Sequence, residues 1–255
     1  MPTTTPYTHG KFVWFEHMSP DMEKAQAFYR ALFGWGTQAV PMGDTPYPMI
    51  LNQGKGIGGY RKAAPTAPTH WICFVSVPDV DASFNAIKAA GCRTMQSPAD
   101  YGPGRIAAAA DPTGAAFAMW KGVEGDPPDA PAPEGGWHWT ELWTTDEKKA
   151  LDFYQRMFGY GVDTMSTPGG GAYNVLTMGG VPRVGLMKGA GPSGRSMWLP
   201  YVSVDDCDAS LAKALSLGAA QMVAPSDMPQ VGRFCVVVDP LGAPIGLVRV
   251  ALRGG

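Results

Sequence analysis

Glu16 and Glu141 are the side chains best placed to do chemistry. Each stands two places after a tryptophan, in WFE from Trp14 and in WTE from Trp139. Side chains alternate across a strand, so each Glu shares a face with its Trp. A partly desolvated carboxylate titrates above its ordinary range. It can then act as a general base, or bind a cationic or hydroxyl group. Glu16 and Glu141 are therefore the candidate catalytic residues. The competing reading has them paired with Arg105 or Arg233, or reaching water. His70 shares strand parity with Ile72 and Phe74. Together with Glu16 it would make an acid/base or two-ligand pair in one half of the chain only, since Met197 stands at the corresponding place. His17 falls on the opposite strand face from Glu16, the side facing the helix, and reads as a satisfied core or edge histidine.

The four cysteines, Cys73, Cys92, Cys207 and Cys235, form no C-x-x-C pair. Neither a zinc ribbon nor a thioredoxin-like motif is indicated, and reduced thiols are expected. Cys73 and Cys235 lie inside apolar runs and read as core. No G-x-G-x-x-G or G-x-x-x-x-G-K-[ST] follows a strand, so no phosphate loop is indicated.

The elements that must position these residues come twice. VWFEHMSPDMEKAQAFYRALFGWG from Val13 aligns without gaps on HWTELWTTDEKKALDFYQRMFGYG from His138. WICFVSVPDVDAS from Trp71 matches WLPYVSVDDCDAS from Trp198. Gly104–Arg105 and DPTGA match Gly232–Arg233 and DPLGA, in the same order. This predicts one domain over residues 11–122, an acidic Pro-rich linker over 123–136, and a second domain over 137–250. Within each half the pattern reads strand, helix, then three short strands, and this order occurs twice. In the first half, strands are expected at 11–17, 37–41, 48–52 and 56–61. A helix is expected at 22–33, ended by Gly34.

Composition fits such an α+β reading. Gly (33 residues) and Pro (24 residues) favour many short strands joined by turns. Lys and Arg total 20 against 22 Asp and Glu, a net charge of -2. That excludes the strongly basic surface that clamps nucleic acid, or docks on anionic lipid. No apolar run reaches the ~18 residues of a membrane span, and the first ten residues carry no apolar secretory core. A cytoplasmic protein is expected.

The phrase D-x-x-x-A-x-x-F-Y-x-x-x-F-G, then V-x-V-x-D-V-D-A, then D-P-x-G, resembles the vicinal oxygen chelate superfamily. That group includes glyoxalase I, bleomycin resistance proteins and extradiol dioxygenases. The resemblance covers almost the whole chain and is greatest to the tandem two-domain glyoxalase-like subgroup. It implies paired βαβββ modules forming half-open curved-sheet barrels, in two tandem domains. The small-molecule site would lie inside the curve.

In metal-bearing members of the superfamily, His, Glu or Gln ligands come from the first and last strands of the modules. Carried over residue by residue, those positions fall on Trp14, Ile72 and Ala118 in the first half, and on Trp139, Leu199 and Gly246 in the second. None supplies a metal donor, and the remaining position falls within GIGGY or RVGLM. Glutathione specificity, carried by an Arg in glyoxalase I, falls on Met18 and Trp143. No cofactor and no metal ligand are therefore expected. If Trp14 and Trp139 hold ligand positions on the concave face, Glu16 and Glu141 face it too. Trp14, Trp139, His70, Phe74, Trp120 and Tyr201 are then the candidate substrate-binding residues. Such a cavity suits a flat apolar molecule with one donor group.

The expected function is binding or transformation of a small apolar or aromatic molecule, without the usual metal. One alternative is a divalent-metal lyase, isomerase or dioxygenase using shifted ligands such as Glu16 and His70. Another is a non-catalytic interaction module. The expected partner is a small-molecule ligand. The expected oligomeric state is a monomer, as an internal pseudo-dimer, or a homodimer.

Overall fold

The structure is a computed structural model that describes residues 6–42, 45–166, 171–229 and 231–251. Four βαβββ modules follow one another. The first is β1 (Phe12–Ser19), α1 (Met22–Phe33), β2 (Gly36–Val40), β3 (Tyr47–Asn52) and β4 (Lys55–Lys62). The second is β5 (His70–Ser76), α2 (Val80–Ala89), β6 (Thr94–Tyr101), β7 (Gly104–Ala110) and β8 (Ala116–Gly122). The second half repeats them. Its first module is β9 (Trp137–Thr144), α3 (Glu147–Phe158), β10 (Gly161–Ser166), β11 (Ala172–Met178) and β12 (Val181–Lys188). Its second is β13 (Met197–Ser203), α4 (Cys207–Ser216), β14 (Ala220–Met228), β15 (Gly232–Val238) and β16 (Pro244–Val250).

Each half forms an eight-stranded sheet. The strand orders are β2-β3-β4-β1-β5-β8-β7-β6 and β10-β11-β12-β9-β13-β16-β15-β14. This is the expected α+β architecture of curved half-barrel sheets in two tandem copies. The crossover from β1 through α1 returns to β4 as a parallel neighbour, Glu16 standing opposite Gly59. In the second half Glu141 stands opposite Gly185 in the same way.

Local chemistry explains the helices. An Asp caps each one, its side chain accepting a backbone N–H of the first turn: Asp21, Asp79, Asp146 and Asp206. Gly34 and Gly159, both left-handed at φ 74, end α1 and α3. Ala25, Phe28, Tyr29 and Leu32 form the buried face of α1, as their helical spacing requires.

Packing divides the chain into two compact units, each combining modules from both halves. Unit 1 comprises residues 1–14, 72–129 and 140–198; unit 2 comprises 15–71, 130–139 and 199–255. In unit 2, the Tyr29 hydroxyl of α1 donates to Asp239 of the D-P-x-G turn at 2.8 Å, and Trp71 Nε1 donates to Tyr29 at 3.2 Å. Lys213 Nζ on α4 donates to the Leu32 carbonyl at 3.0 Å. In unit 1, Tyr154 of α3 donates to Asp111 at 3.0 Å.

The Pro-rich linker is tied down at both ends. Asp126 accepts from Thr8 N and Ser76 Oγ in unit 1. In unit 2 the Gly135 carbonyl accepts from Trp35 Nε1 at 2.8 Å.

Candidate functional sites

Each unit builds one candidate site around a buried glutamate. In unit 2, Glu16 projects from β1 and is 3% exposed. Tyr47, at the start of β3, donates its hydroxyl to Glu16 Oε1 at 2.8 Å. Arg61, near the end of β4, donates Nε to Glu16 Oε2 at 2.6 Å. Tyr47 reaches Glu16 by lying over Gly59, where a Cβ would stand 1.9 Å from the hydroxyl. The Arg61 guanidinium carbon also sits 5.3 Å from the centre of the Tyr47 ring. Burial pushes the Glu16 carboxyl up. The Arg61 charge and the Tyr47 and Arg61 hydrogen bonds pull it back only partway.

In unit 1 the same construction recurs. Glu141 projects from β9 and is 5% exposed. Tyr173 of β11 lies over Gly185, where a Cβ would stand 2.0 Å from its hydroxyl, and donates to Glu141 Oε2 at 2.9 Å. The second partner differs. Trp143 Nε1 donates to Glu141 Oε1 at 2.6 Å. In the parallel ladders Arg61 stands opposite Met18, and Met187 stands opposite Trp143. The repeat has thus exchanged an Arg/Met pair for a Met/Trp pair at one cross-strand position. One carboxylate is held by a cation and a phenol, the other by an indole and a phenol. Both present a desolvated, oriented acceptor.

The remaining candidates spread over both units. Trp14, Phe74 and Trp120 belong to unit 1 with Glu141, and Trp139, His70 and Tyr201 belong to unit 2 with Glu16. Trp14, Trp139 and Trp120 are half-buried, whereas Phe74 and Tyr201 are buried. Glu16 and His70 do not meet. His70 Nδ1 lies 2.8 Å from the Pro68 carbonyl, and burial followed by the nearby His17 lowers its pKa against that bond. Neither Arg105 nor Arg233 pairs with a site glutamate. Arg105 binds Asp81 and Asp100, and Arg233 binds Asp208 and Asp227. His17 is a core residue as its parity predicts, fully buried with Nε2 2.8 Å from Asp239 Oδ2.

The superfamily's metal does not fit the positions carried over. Trp14, Ile72, Ala118, Trp139, Leu199 and Gly246 offer no oxygen or imidazole donor. In unit 2 the Tyr201 ring also covers the last of them: a Cβ on Gly246 would stand 2.1 Å from that ring. Among the described residues, no group of three or more His, Cys, Asp or Glu could hold a metal ion.

Four residues complete these candidate sites without being sequence candidates for them: Tyr47 and Arg61 beside Glu16, Tyr173 and Trp143 beside Glu141. The expected strand at 48–52 stops one residue short of Tyr47. The glycines in GIGGY and RVGLM were the available signal, because a sheet glycine marks a place where another group crosses closely.

Comparison with known proteins agrees with this fold. The profile of the Glyoxalase/Bleomycin resistance protein/Dioxygenase superfamily matches residues 11–119. CFP32 of Mycobacterium tuberculosis, which carries a provisional glyoxylase name, is 33% identical over 98% of this chain and 99% of its own. The anthracycline biosynthesis protein DnrV of Streptomyces peucetius is 30% identical over 98% of this chain and 96% of its own. Among solved structures, the Mn(II)-bound glyoxalase of Novosphingobium aromaticivorans superposes with a TM-score of 0.64 at 18% identity. The match covers 96% of this chain and 82% of that one.

Proposed function

The chain belongs to the Glyoxalase/Bleomycin resistance protein/Dioxygenase superfamily, and from that premise we propose that it binds a small, flat, apolar or aromatic molecule at Glu16 and Glu141, without the superfamily's metal. The observation that carries this reading is the Tyr-over-Gly-to-Glu construction, present in both units. A carboxylate buried in a sheet costs several kcal/mol of desolvation. In both units, aromatic donors orient it. A bound molecule would present a hydroxyl or other donor to that carboxylate and stack its plane on the neighbouring aromatic side chains. The raised pKa of Glu16 also suits a general base. A protein of this kind either sequesters its ligand or transfers a proton on it.

The Streptomyces peucetius relative is named for anthracycline biosynthesis. Anthracyclines are built on a fused aromatic quinone with phenolic hydroxyls, a shape and donor pattern that match this reading. The ligand is taken as a small molecule, with neither nucleic acid nor membrane as partner. A single chain, or a homodimer of it, would suffice.

The test is a fluorescence titration with a hydroxyanthraquinone. The wild-type protein should bind it with saturation. Glu16→Gln and Glu141→Gln should each weaken one class of site about tenfold or more, which corresponds to ~1.4 kcal/mol. Chromatography of the mixture separates sequestration from turnover. Equal affinity in the wild type and the double variant would overturn the carboxylate role.

A further inference from the structure

Cys207 and Cys235 lie with their sulfurs 3.5 Å apart, both fully buried in unit 2. Cys207 is the first residue of α4 and Cys235 lies in β15. The same two elements are clamped beside the thiols. Arg233, two places before Cys235, donates Nε and Nη2 to the carboxylate of Asp208, next to Cys207, at 2.6 and 3.0 Å. Its Nη1 reaches Asp227 of β14 at 2.8 Å.

The first half provides an internal comparison. There the clamp is kept, Arg105 binding Asp81 at 2.6 and 2.8 Å and Asp100 at 2.8 Å. The residues at the two thiol positions, however, are Val80 and Ala107, both buried. The scaffold therefore needs no thiol at either place. The pair occurs in one copy only, with the two sulfurs turned toward each other and Cys207 Sγ also 3.8 Å from the Leu247 carbonyl.

We propose that Cys207 and Cys235 form a peroxide-responsive dithiol, closing to a disulfide that joins α4 to β15. Covalent closure needs the sulfurs to approach to ~2.05 Å, a shift of ~1.5 Å from their present separation. Cys207 is the attacking sulfur. It stands at a helix N-terminus, where the dipole favours a thiolate. The hydrogen bond with Cys235, helped by the Arg233 charge, draws its pKa down against burial and the flanking Asp208 and Asp206 carboxylates. The Cys207 thiolate attacks one peroxide oxygen and the O–O bond breaks. A sulfenic acid forms, and hydroxide leaves to take up the thiol proton as water. Cys235 sulfur then attacks the sulfenic sulfur, the S–O bond breaks, and a second water leaves. Two thiols and one hydrogen peroxide thus give one disulfide and two waters, with the two electrons passing to the peroxide.

The experiment treats the full chain with hydrogen peroxide, quenches it, and counts thiols after denaturation with intact-mass and peptide mapping. The expected result is a fall from four thiols to two. It should come with a loss of ~2 Da, a Cys207–Cys235 cross-linked peptide and a higher Tm, reversed by a dithiol reductant. Cys235→Ala and Cys207→Val install the first half's own residues and so should fold. Cys235→Ala should trap a dimedone-reactive sulfenic acid on Cys207, and Cys207→Val should keep its three thiols. Oxidation confined to Cys92, the half-buried thiol, would overturn the proposal. So would sulfinic acid at Cys207 in the wild type with no cross-linked peptide.

Discussion

The Tyr29 hydroxyl and the Asp239 carboxylate share a 2.8 Å hydrogen bond across 210 residues of chain. Tyr154 and Asp111 share the corresponding bond at 3.0 Å in the other unit. The recurring F-Y and D-P-x-G phrases are thus two ends of one contact, which fastens a module of one half to a module of the other. The Asp works twice. Asp239 Oδ1 accepts the N–H groups of Leu241 and Ala243 to set its turn, while Oδ2 accepts Tyr29 and holds His17. Tyr29→Phe should cost about 1 kcal/mol in urea unfolding, the ordinary worth of one buried hydrogen bond. Asp239→Ala should cost roughly 3 kcal/mol or more, because it strands several buried donors at once. A neutral Asp239→Ala would show that the contact contributes nothing.

Acid stability should divide along the same line. Burial alone would raise the Asp239 pKa, but the His17 hydrogen bond and charge, together with the backbone N–H groups of Ala243 and Leu241, outweigh it and hold the group below its usual value. The folded state therefore binds this proton more weakly than the unfolded chain does. The contribution is present above about pH 4, the ordinary aspartate value, and is lost as the pH falls toward the depressed one. His17→Leu installs the residue found at the matching place, Leu142. It should lower stability at pH 7 and flatten the acid limb of the stability curve below pH ~4. An unchanged acid limb would remove His17 from the account.

Glu16 should behave with the opposite sign. Its folded pKa is raised, so the folded state binds the proton more tightly than the unfolded chain does. Its contribution favours folding below the ordinary glutamate value of about 4.3, and is lost as the pH rises through the folded one. Glu16→Gln should remove that decline while keeping an acceptor for Tyr47. Chemical unfolding of both proteins from pH 4 to 8 measures the difference. Parallel curves would mean that Glu16 titrates as it does in the unfolded chain.

Metal removal should change nothing. Exhaustive dialysis against a chelator is expected to leave Tm and hydroxyanthraquinone affinity unaltered. Elemental mass spectrometry of metal-replete protein should find less than stoichiometric iron, zinc, nickel or manganese. A stoichiometric metal lost on Glu16→Gln would point instead to ligands outside the superfamily positions.

The fold was legible because its signals are local and doubled. The helix over 22–33 and its glycine stop read directly from spacing, and the repeat supplied the same pattern a second time. The inward place of the two glutamates, both of them buried, was legible for the same reason. Their partners were not. Tyr47 and Arg61 meet Glu16 through the parallel β1–β4 register, which no periodicity within a single strand encodes. Arg61 also sits in GYRK, which reads as an ordinary polar strand end. The interleaving of modules in the compact units is likewise invisible to spacing. The motifs record the two ends of the Tyr29–Asp239 bond, but not that they belong together.

The glycines beneath the tyrosines give the sharpest test of the site. A Cβ on Gly59 would stand 1.9 Å from the Tyr47 hydroxyl and 2.2 Å from its ring carbon, so the ring must move. Gly59→Ala alone should cost about 1–3 kcal/mol, as overpacking in a filled site does. It should also weaken hydroxyanthraquinone binding as much as Tyr47→Phe does, by freeing Glu16 from its phenol. Tyr47→Ala removes the obstruction, so in that background Gly59→Ala should be nearly neutral. The coupling energy between the two sites, read from a double-mutant cycle of urea unfolding, should then match most of the single-variant cost. The Gly185/Tyr173 pair should repeat this behaviour in unit 1, where a Cβ would stand 2.0 Å from the hydroxyl. Additive costs at either pair would mean that the tyrosine does not cross the glycine in solution, and the construction around the glutamate would fall with it.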